Sequence, residues 1–209
     1  MKLEKIEPLD SPNYLRLIFD DGKRLKAPAF KVVELGLTIG AEVSPEDVLA
    51  LENAQSFASC KERAVRILTA SGLSKKELQK RLVQKGEREE DAEAAISWLE
   101  ELHLIDDLET AKQLVRSANL RGYGRARAKS ILYEKGIPKE LWDEALEEFG
   151  ETDGAIDAFL RKKLSRRTLD QKTIKKAVDA LIRRGHSYHD IQEGLRRFEA
   201  DCEPMDTWE

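Results

Sequence analysis

Ser130-Ile131-Leu132-Tyr133-Glu134-Lys135-Gly136 runs an amphipathic helix into a glycine, and Ile137-Pro138 then opens another helix. The same arrangement stands at Lys80 to Gly86 and at Asp179 to Gly185, so the glycines recur at spacings of 50 and 49 residues. Repetition at that period marks a tandem array of small helical units. Leu82, Leu132 and Leu181 lie four positions before the glycines. Ile96, Leu146 and Leu195 lie ten positions after them, followed three residues later by Leu99, Phe149 and Phe198. The apolar frame is kept while the polar residues change, as one packing plan carrying different surfaces requires.

Working outward, each glycine sits between the second and third helix of a unit. In the first, Ala64, Ile67 and Leu68 form a stripe up to Ser71-Gly72. Ser74-Lys75-Lys76-Glu77 is a capping box for the helix ending at Gly86, and a third helix spans Glu89 to Leu102. The second unit is expected to run Leu108 to Leu120, Gly124 to Lys135 and Pro138 to Phe149, and the third Gly154 to Arg166, Asp170 to Arg184 and Ser187 to Glu199. These units occupy residues 59–106, 107–153 and 154–201, and residues 202–209 form a tail expected to fray. The fold class is mainly α, with tandem three-helix repeats. Short joints predict an elongated, curved array, with a long surface suited to docking along another polymer rather than a deep pocket.

Residues 1–58 read differently. Tyr14-Leu15-Arg16-Leu17-Ile18-Phe19, Asp20-Asp21-Gly22 and Lys23-Arg24-Leu25-Lys26 have the composition of a β-hairpin closed by a tight turn, and Lys2 to Glu7 supplies a third short strand. Val32, Val33, Leu35 and Leu37 make a short helix ending near Gly36 or Gly40. Ser44-Pro45-Glu46-Asp47 caps a longer one that runs towards Cys60, continuous with the first helix of the repeats, so the boundary near Ser59 falls within it. The small N-terminal domain is therefore a β-hairpin plus helices.

A chain of 209 residues buries a core without disulfide or metal staples, and 36% charged with only 6% aromatic residues suits short helices that each bury one stripe. Cys60 and Cys202 lie in no metal-binding spacing, and neither a signal-like start nor a bilayer-length apolar run is present. A cytoplasmic monomer without cofactor, metal or membrane contact is expected. The net charge of −4 is uneven: only residues 154–209 carry more basic groups, 12, than acidic ones, 10. Overall acidity argues against a protein whose main task is unaided, tight binding of duplex DNA.

The chain offers little for catalysis. Gly122-Tyr123-Gly124 lacks the third glycine and the preceding strand of a dinucleotide site, and reads as a flexible break between helices; there is no phosphate-binding GxxxxGK[ST] loop. His186 and His189 lack further ligands for zinc and read as a capping or solvent-exposed pair. Asp106-Asp107, directly before a helix, reads as an N-cap and a dipole partner rather than an acid–base pair. The basic clusters hold more interest. Arg116 to Lys139 carries seven basic residues against Glu134 alone, and Arg161 to Arg184 carries ten against Asp170 and Asp179. Arg121, Tyr123, Arg125, Arg127 and Lys129 form one candidate contact patch, and Arg161, Lys162, Lys163, Arg166 and Arg167 another. Solvated helix faces, also paired with the acids from Glu140 to Glu148, and contacts to a partner or to phosphate stand equally open. The third helices begin with acids at Glu87 to Asp91 and at Glu140, which keeps them out of a DNA groove; only Ser187, Tyr188, Arg196 and Arg197 leave that option open.

Leu104-Ile105-Asp106-Asp107, Ala111, Gly124-Arg125 and Ile131-Leu132-Tyr133-Glu134-Lys135-Gly136-Ile137 together resemble the central motif of the RecX regulatory proteins. Ala64 to Leu68 and Glu77-Leu78 through Lys85-Gly86 resemble that family's first repeat, so the likeness covers Ser59 to Phe198. Residues 1–58, with Leu35-Gly36-Leu37 and Ile39-Gly40, are similar to the N-terminal extension of longer members. The basic residue that the family pattern leads one to expect near Ala118-Asn119 is absent. The resemblance implies a non-enzymatic regulator that lodges in the groove of the RecA–DNA filament, contacting RecA and single-stranded DNA within it. It further implies suppression of ATP hydrolysis, strand exchange and co-protease activity. A direct nucleic-acid-binding module and a helical scaffold for another protein are the competing readings.

Overall fold

The structure, a computed structural model, describes residues 1–70, 72–164 and 170–202. The chain divides into two compact units, Met1–Ile105 and Asp106–Glu209.

The first unit opens with an antiparallel sheet in the order β1 (Leu3–Pro8), β2 (Tyr14–Phe19), β3 (Arg24–Pro28). Alternation along β2 turns Leu15, Leu17 and Phe19 towards one core, whereas Tyr14, of the opposite parity, is buried outside it. The Asp20–Gly22 turn closes with the Phe19 N–H donating to the Lys23 carbonyl at 3.0 Å, and Gly22 takes φ +81°. Ile6 pairs with Leu17 and Leu3 with Phe19, with a bulge between Leu3 and Lys5. The hairpin and the third strand expected from the sequence are both present. Leu3, Leu17, Phe19, Leu25 and Ala27 pack on Val32 of α1 (Ala29–Glu34) and on Val48 and Leu51 of α2 (Pro45–Ala70).

Helix α2 (Pro45–Ala70) is unbroken through Ser59, about 39 Å long at the usual rise. Its start is capped reciprocally: the Asp47 N–H donates to Ser44 Oγ at 3.1 Å, and the Ser44 N–H to Asp47 Oδ2 at 3.1 Å. The first half of α2 covers the sheet. The second half carries Cys60 and Ala64 into a separate core with Leu78 and Leu82 of α3 (Lys75–Gln84) and Ala92, Ala95, Ile96 and Leu99 of α4 (Glu89–Glu101). Burial pushes the Cys60 thiol up to about 11, with Glu87 and Asp91 adding to the shift, so it stays a protonated core residue. Asp91, also buried, accepts from Ser56 Oγ at 2.6 Å and from Arg88 Nε at 2.8 Å. Burial works to raise its carboxyl, but these bonds and the Arg88 charge outweigh it and hold the group below its ordinary value.

In the second unit, Asp106 caps α5 (Asp107–Leu120), accepting from the Leu108 and Glu109 amides at 2.8 and 3.2 Å, as read from the sequence. Helix α6 (Arg125–Glu134) follows. In place of one helix from Pro138 to Phe149 there is a 3₁₀ turn at Lys139–Leu141, a single α-turn α7 (Trp142–Ala145) and a second 3₁₀ turn at Leu146–Glu148. Glu140/Glu144, Asp143/Glu147 and Glu144/Glu148 would be like charges one turn apart on a regular helix, which weakens it. Tertiary ties hold the segment instead: Lys112 pairs with Glu144 at 2.8 Å, and Arg116 with Glu148 at 3.3 Å. A last set of helices, α8 (Asp153–Leu164), α9 (Gln171–Arg183) and α10 (Tyr188–Cys202), encloses Ile156, Leu160, Leu181, Ile191, Leu195 and Phe198.

The three repeat glycines share one helix-ending geometry. Gly86, Gly136 and Gly185 adopt φ +89°, +69° and +88°. In each, the residue after the glycine donates its N–H back to the buried leucine: Glu87 to Leu82 at 3.1 Å, Ile137 to Leu132 at 3.0 Å and His186 to Leu181 at 3.2 Å. The repeat is thus a helix-stop device that buries a leucine in the last turn and redirects the chain.

Candidate partner-binding surface

The segment after α5 is a packed joint, which overturns its reading as a flexible break. A Cβ on Gly124 would lie 2.1 Å from the Gly185 carbonyl oxygen, and one on Gly185 would lie 2.2 Å from the Arg127 nitrogen. This closeness lets the first amides of α6 meet the last carbonyls of α9. The Gly124 N–H donates to the Arg184 carbonyl at 2.9 Å, and the Ala126 N–H to the Gly185 carbonyl at 3.2 Å. Donors left over at one helix start thereby satisfy acceptors left over at another helix end, with the two dipoles meeting head to tail.

The return contact comes from the turn between α9 and α10. Arg184 Nη2 donates to the Arg121 carbonyl at 3.0 Å, and His186 Nε2 lies 3.2 Å from the Gly122 carbonyl, so both cap the end of α5. The Arg184 guanidinium also stands 5.4 Å from the Tyr123 ring centre and 5.5 Å from that of Phe159. His186 is only 6% exposed and takes the capping place of the two read for the pair, whereas His189 takes the exposed one. The repeat explains the difference: His186 occupies the position after the glycine that Ile137 fills in the preceding repeat, where the side chain turns back onto the helix end. Burial holds the imidazole below its ordinary value, and the Arg184 charge adds to this against the opposing pulls of the Gly122 carbonyl and Asp190.

Around this joint the first basic cluster divides. Arg121, Arg125 and Lys129 are exposed, and among the described residues no carboxylate pairs with Arg121 or Lys129. Arg125 donates to the Leu146 carbonyl at 3.3 Å. Arg127 pairs with Glu134 at 2.8 Å, and Tyr123 is half-buried beneath Arg184, so both serve the joint. Along the exposed side of α6, Arg125 and Lys129 continue into Tyr133, 71% exposed, and Leu120 at the end of α5 is 88% exposed. Arg125, Lys129 and Tyr133 stand at successive one-turn spacings, a signal present in the sequence. Of Ala118 and Asn119, near which the family pattern leads one to expect a basic residue, Ala118 is enclosed in the core and Asn119 is half-buried.

In the second cluster, Arg161, Lys162 and Lys163 are exposed in the last turn of α8, where the helix dipole favours cations. Arg166 and Arg167 lie outside the described residues. Among the described residues no group of three or more His, Cys, Asp or Glu side chains is placed to hold a metal, and no helix is long and apolar enough to cross a membrane.

Family models match the first two of these three-helix units. Residues 60–99 match the family model for the first three-helix domain of RecX, and residues 106–146 match that for its second three-helix domain. The regulatory protein RecX of Clostridium beijerinckii is 31% identical over 166 residues, covering 77% of each chain. The chain belongs to the RecX family. The regulatory protein RecX of Vibrio campbellii is 32% identical over 139 residues, covering 66% of this chain and 90% of that relative. Two crystal structures share the fold at 22% identity. One, of a regulatory protein RecX, gives a TM-score of 0.76 over 92% of this chain and 98% of that one. The other, RecX from Lactobacillus salivarius, gives 0.62 over 70% and 99%. These tandem three-helix domains, preceded by a small antiparallel sheet, give the chain the mainly helical fold of its family.

Proposed function

We propose that this RecX-family chain is a non-enzymatic regulator that binds in the groove of the RecA–DNA filament. There it lowers ATP hydrolysis, strand exchange and co-protease activity, and so acts in recombination, DNA repair and the SOS response in the cytoplasm. The observation that carries the reading is the set of exposed cations Arg121, Arg125 and Lys129 displayed at the close-packed joint between the second and third repeats. A joint whose backbones touch keeps its cations at set positions, so docking loses little conformational freedom. Several small repeats engaging neighbouring subunits of a polymer gain affinity through linked contacts rather than through one deep pocket.

Reversing the charge of all three residues with Arg121→Glu, Arg125→Glu and Lys129→Glu should weaken inhibition of RecA-driven strand exchange while the helical circular dichroism spectrum is unchanged. Full inhibition by the triple variant removes this patch from the proposal. The same comparison with Arg161→Glu, Lys162→Glu and Lys163→Glu tests the second cluster. Surface substitutions suit this purpose because they seldom unfold a domain.

A further inference from the structure

We propose that the groove between α8 and α9 is a binding site for the phosphate backbone of single-stranded nucleic acid, used without any recombinase. Lys163 from α8 and Lys176 and Arg183 from α9 line one cleft of about 330 Å³, with Ala177 and Ala180 in its lining and the Phe159 ring beside them. Only Lys163 belongs to the clusters singled out as contact patches.

The positive charge is in excess, with Lys176 also acting on Asp170. Among the described residues none of the three cations has an ion-pair partner, whereas Lys112, Arg116, Arg127 and Arg197 of the same unit are all paired. Among the described residues Asp179 is the one carboxylate in the lining, against three positive groups. Helix dipoles account for Lys163 and Arg183, which stand in last turns, but not for Lys176 in the middle of α9. Thr173, Lys176, Ala180 and Arg183 fall at i, i+3, i+7 and i+10, a single stripe about 15 Å long whose alanine leaves room for a chain to approach the backbone.

The aromatic wall decides between anions. An acidic peptide would be held by the cations alone and would gain nothing particular from Phe159. A nucleotide has both a phosphate for the cations and a flat base or sugar for the ring, the pairing that single-strand binders use. The half-buried Phe159 packs on one side against the third-repeat core and meets Arg184 at 5.5 Å, while Lys163 stands 6.0 Å from its centre, a loose contact that a bound base can replace. Duplex DNA keeps its bases stacked inside and offers the ring nothing, so the cleft favours single strands.

The test is fluorescence anisotropy of a labelled oligothymidylate titrated with the full chain at low salt, without recombinase. The expected result is binding that weakens about tenfold in the double variant Lys176→Ala, Arg183→Ala. The slope of log affinity against log salt should become shallower by about 0.7 for each cation removed. Unlabelled duplex of equal length should compete less well than unlabelled single strand, and Phe159→Leu should lower affinity for the oligothymidylate but not for an abasic strand. Unchanged affinity and salt slope in the double variant would overturn the site. Displacement of the oligonucleotide by polyglutamate more readily than by single strand of equal charge would also overturn it, by making the groove a protein-docking surface.

Discussion

Gly124 and His186 show how single residues set the joint between the second and third repeats. Gly124→Ala forces a methyl group to within 2.1 Å of the Gly185 carbonyl, so we expect a loss of about 2–4 kcal/mol in urea unfolding. Gly86→Ala, at φ +89° but with open space around it, should cost only the left-handed strain, about 1–2 kcal/mol. Equal losses for the two would show that the close approach at Gly124 is not what fixes the joint. His186 adds a pH dependence whose sign follows from its lowered basicity. The unfolded chain takes up the proton first, so the histidine's contribution is complete above its ordinary value of about 6.5 and is lost as pH falls from there through the folded value. Thermal melts should therefore show Tm falling between neutral and mildly acidic pH, with a shallower fall in His186→Gln. Parallel curves would remove His186 as the cause.

Among the elements, the helix-stop motif was the most legible feature, because a glycine four residues after a buried leucine is a local signal that needs no tertiary information. The same geometry ends α4 without glycine: His103 sits at φ +54°, and the Leu104 N–H donates to the Leu99 carbonyl at 2.9 Å. His103→Gly should relieve that strain and raise stability by about 0.5–1 kcal/mol, measured by chemical unfolding. The unbroken run of α2 through Ser59 carries a second expectation. Ser59→Pro interrupts a helix shared by the sheet core and the first-repeat core, and should cost about 3 kcal/mol or more, whereas a proline at a true helix junction would be tolerated. The segment after Pro138 was less legible. Its apolar spacing suits a helix, and only the stacking of Glu140, Asp143, Glu144, Glu147 and Glu148, together with their partners Lys112 and Arg116 on α5, accounts for its division into short turns.

For the whole molecule, the repeated apolar frame made the three-helix units and the family readable from the chain, since each unit repeats a local rule. The joint and the α8–α9 cleft were not readable in that way. Which amide meets which carbonyl depends on residues about sixty apart, such as Gly122 with Arg184, and which cations share a groove depends on how α8 packs on α9. Within the basic clusters, sequence supplies the count of charges, while ion pairs such as Arg127 with Glu134 decide which of them stay available. The available ones, Arg121, Arg125 and Lys129, underlie the regulatory reading. The most direct test of that reading is steady-state ATP hydrolysis by the cognate RecA on single-stranded DNA as this protein is titrated in. The account predicts a fall in hydrolysis at or below one protein per recombinase subunit. Unchanged hydrolysis, with filaments confirmed to be present, would contradict it.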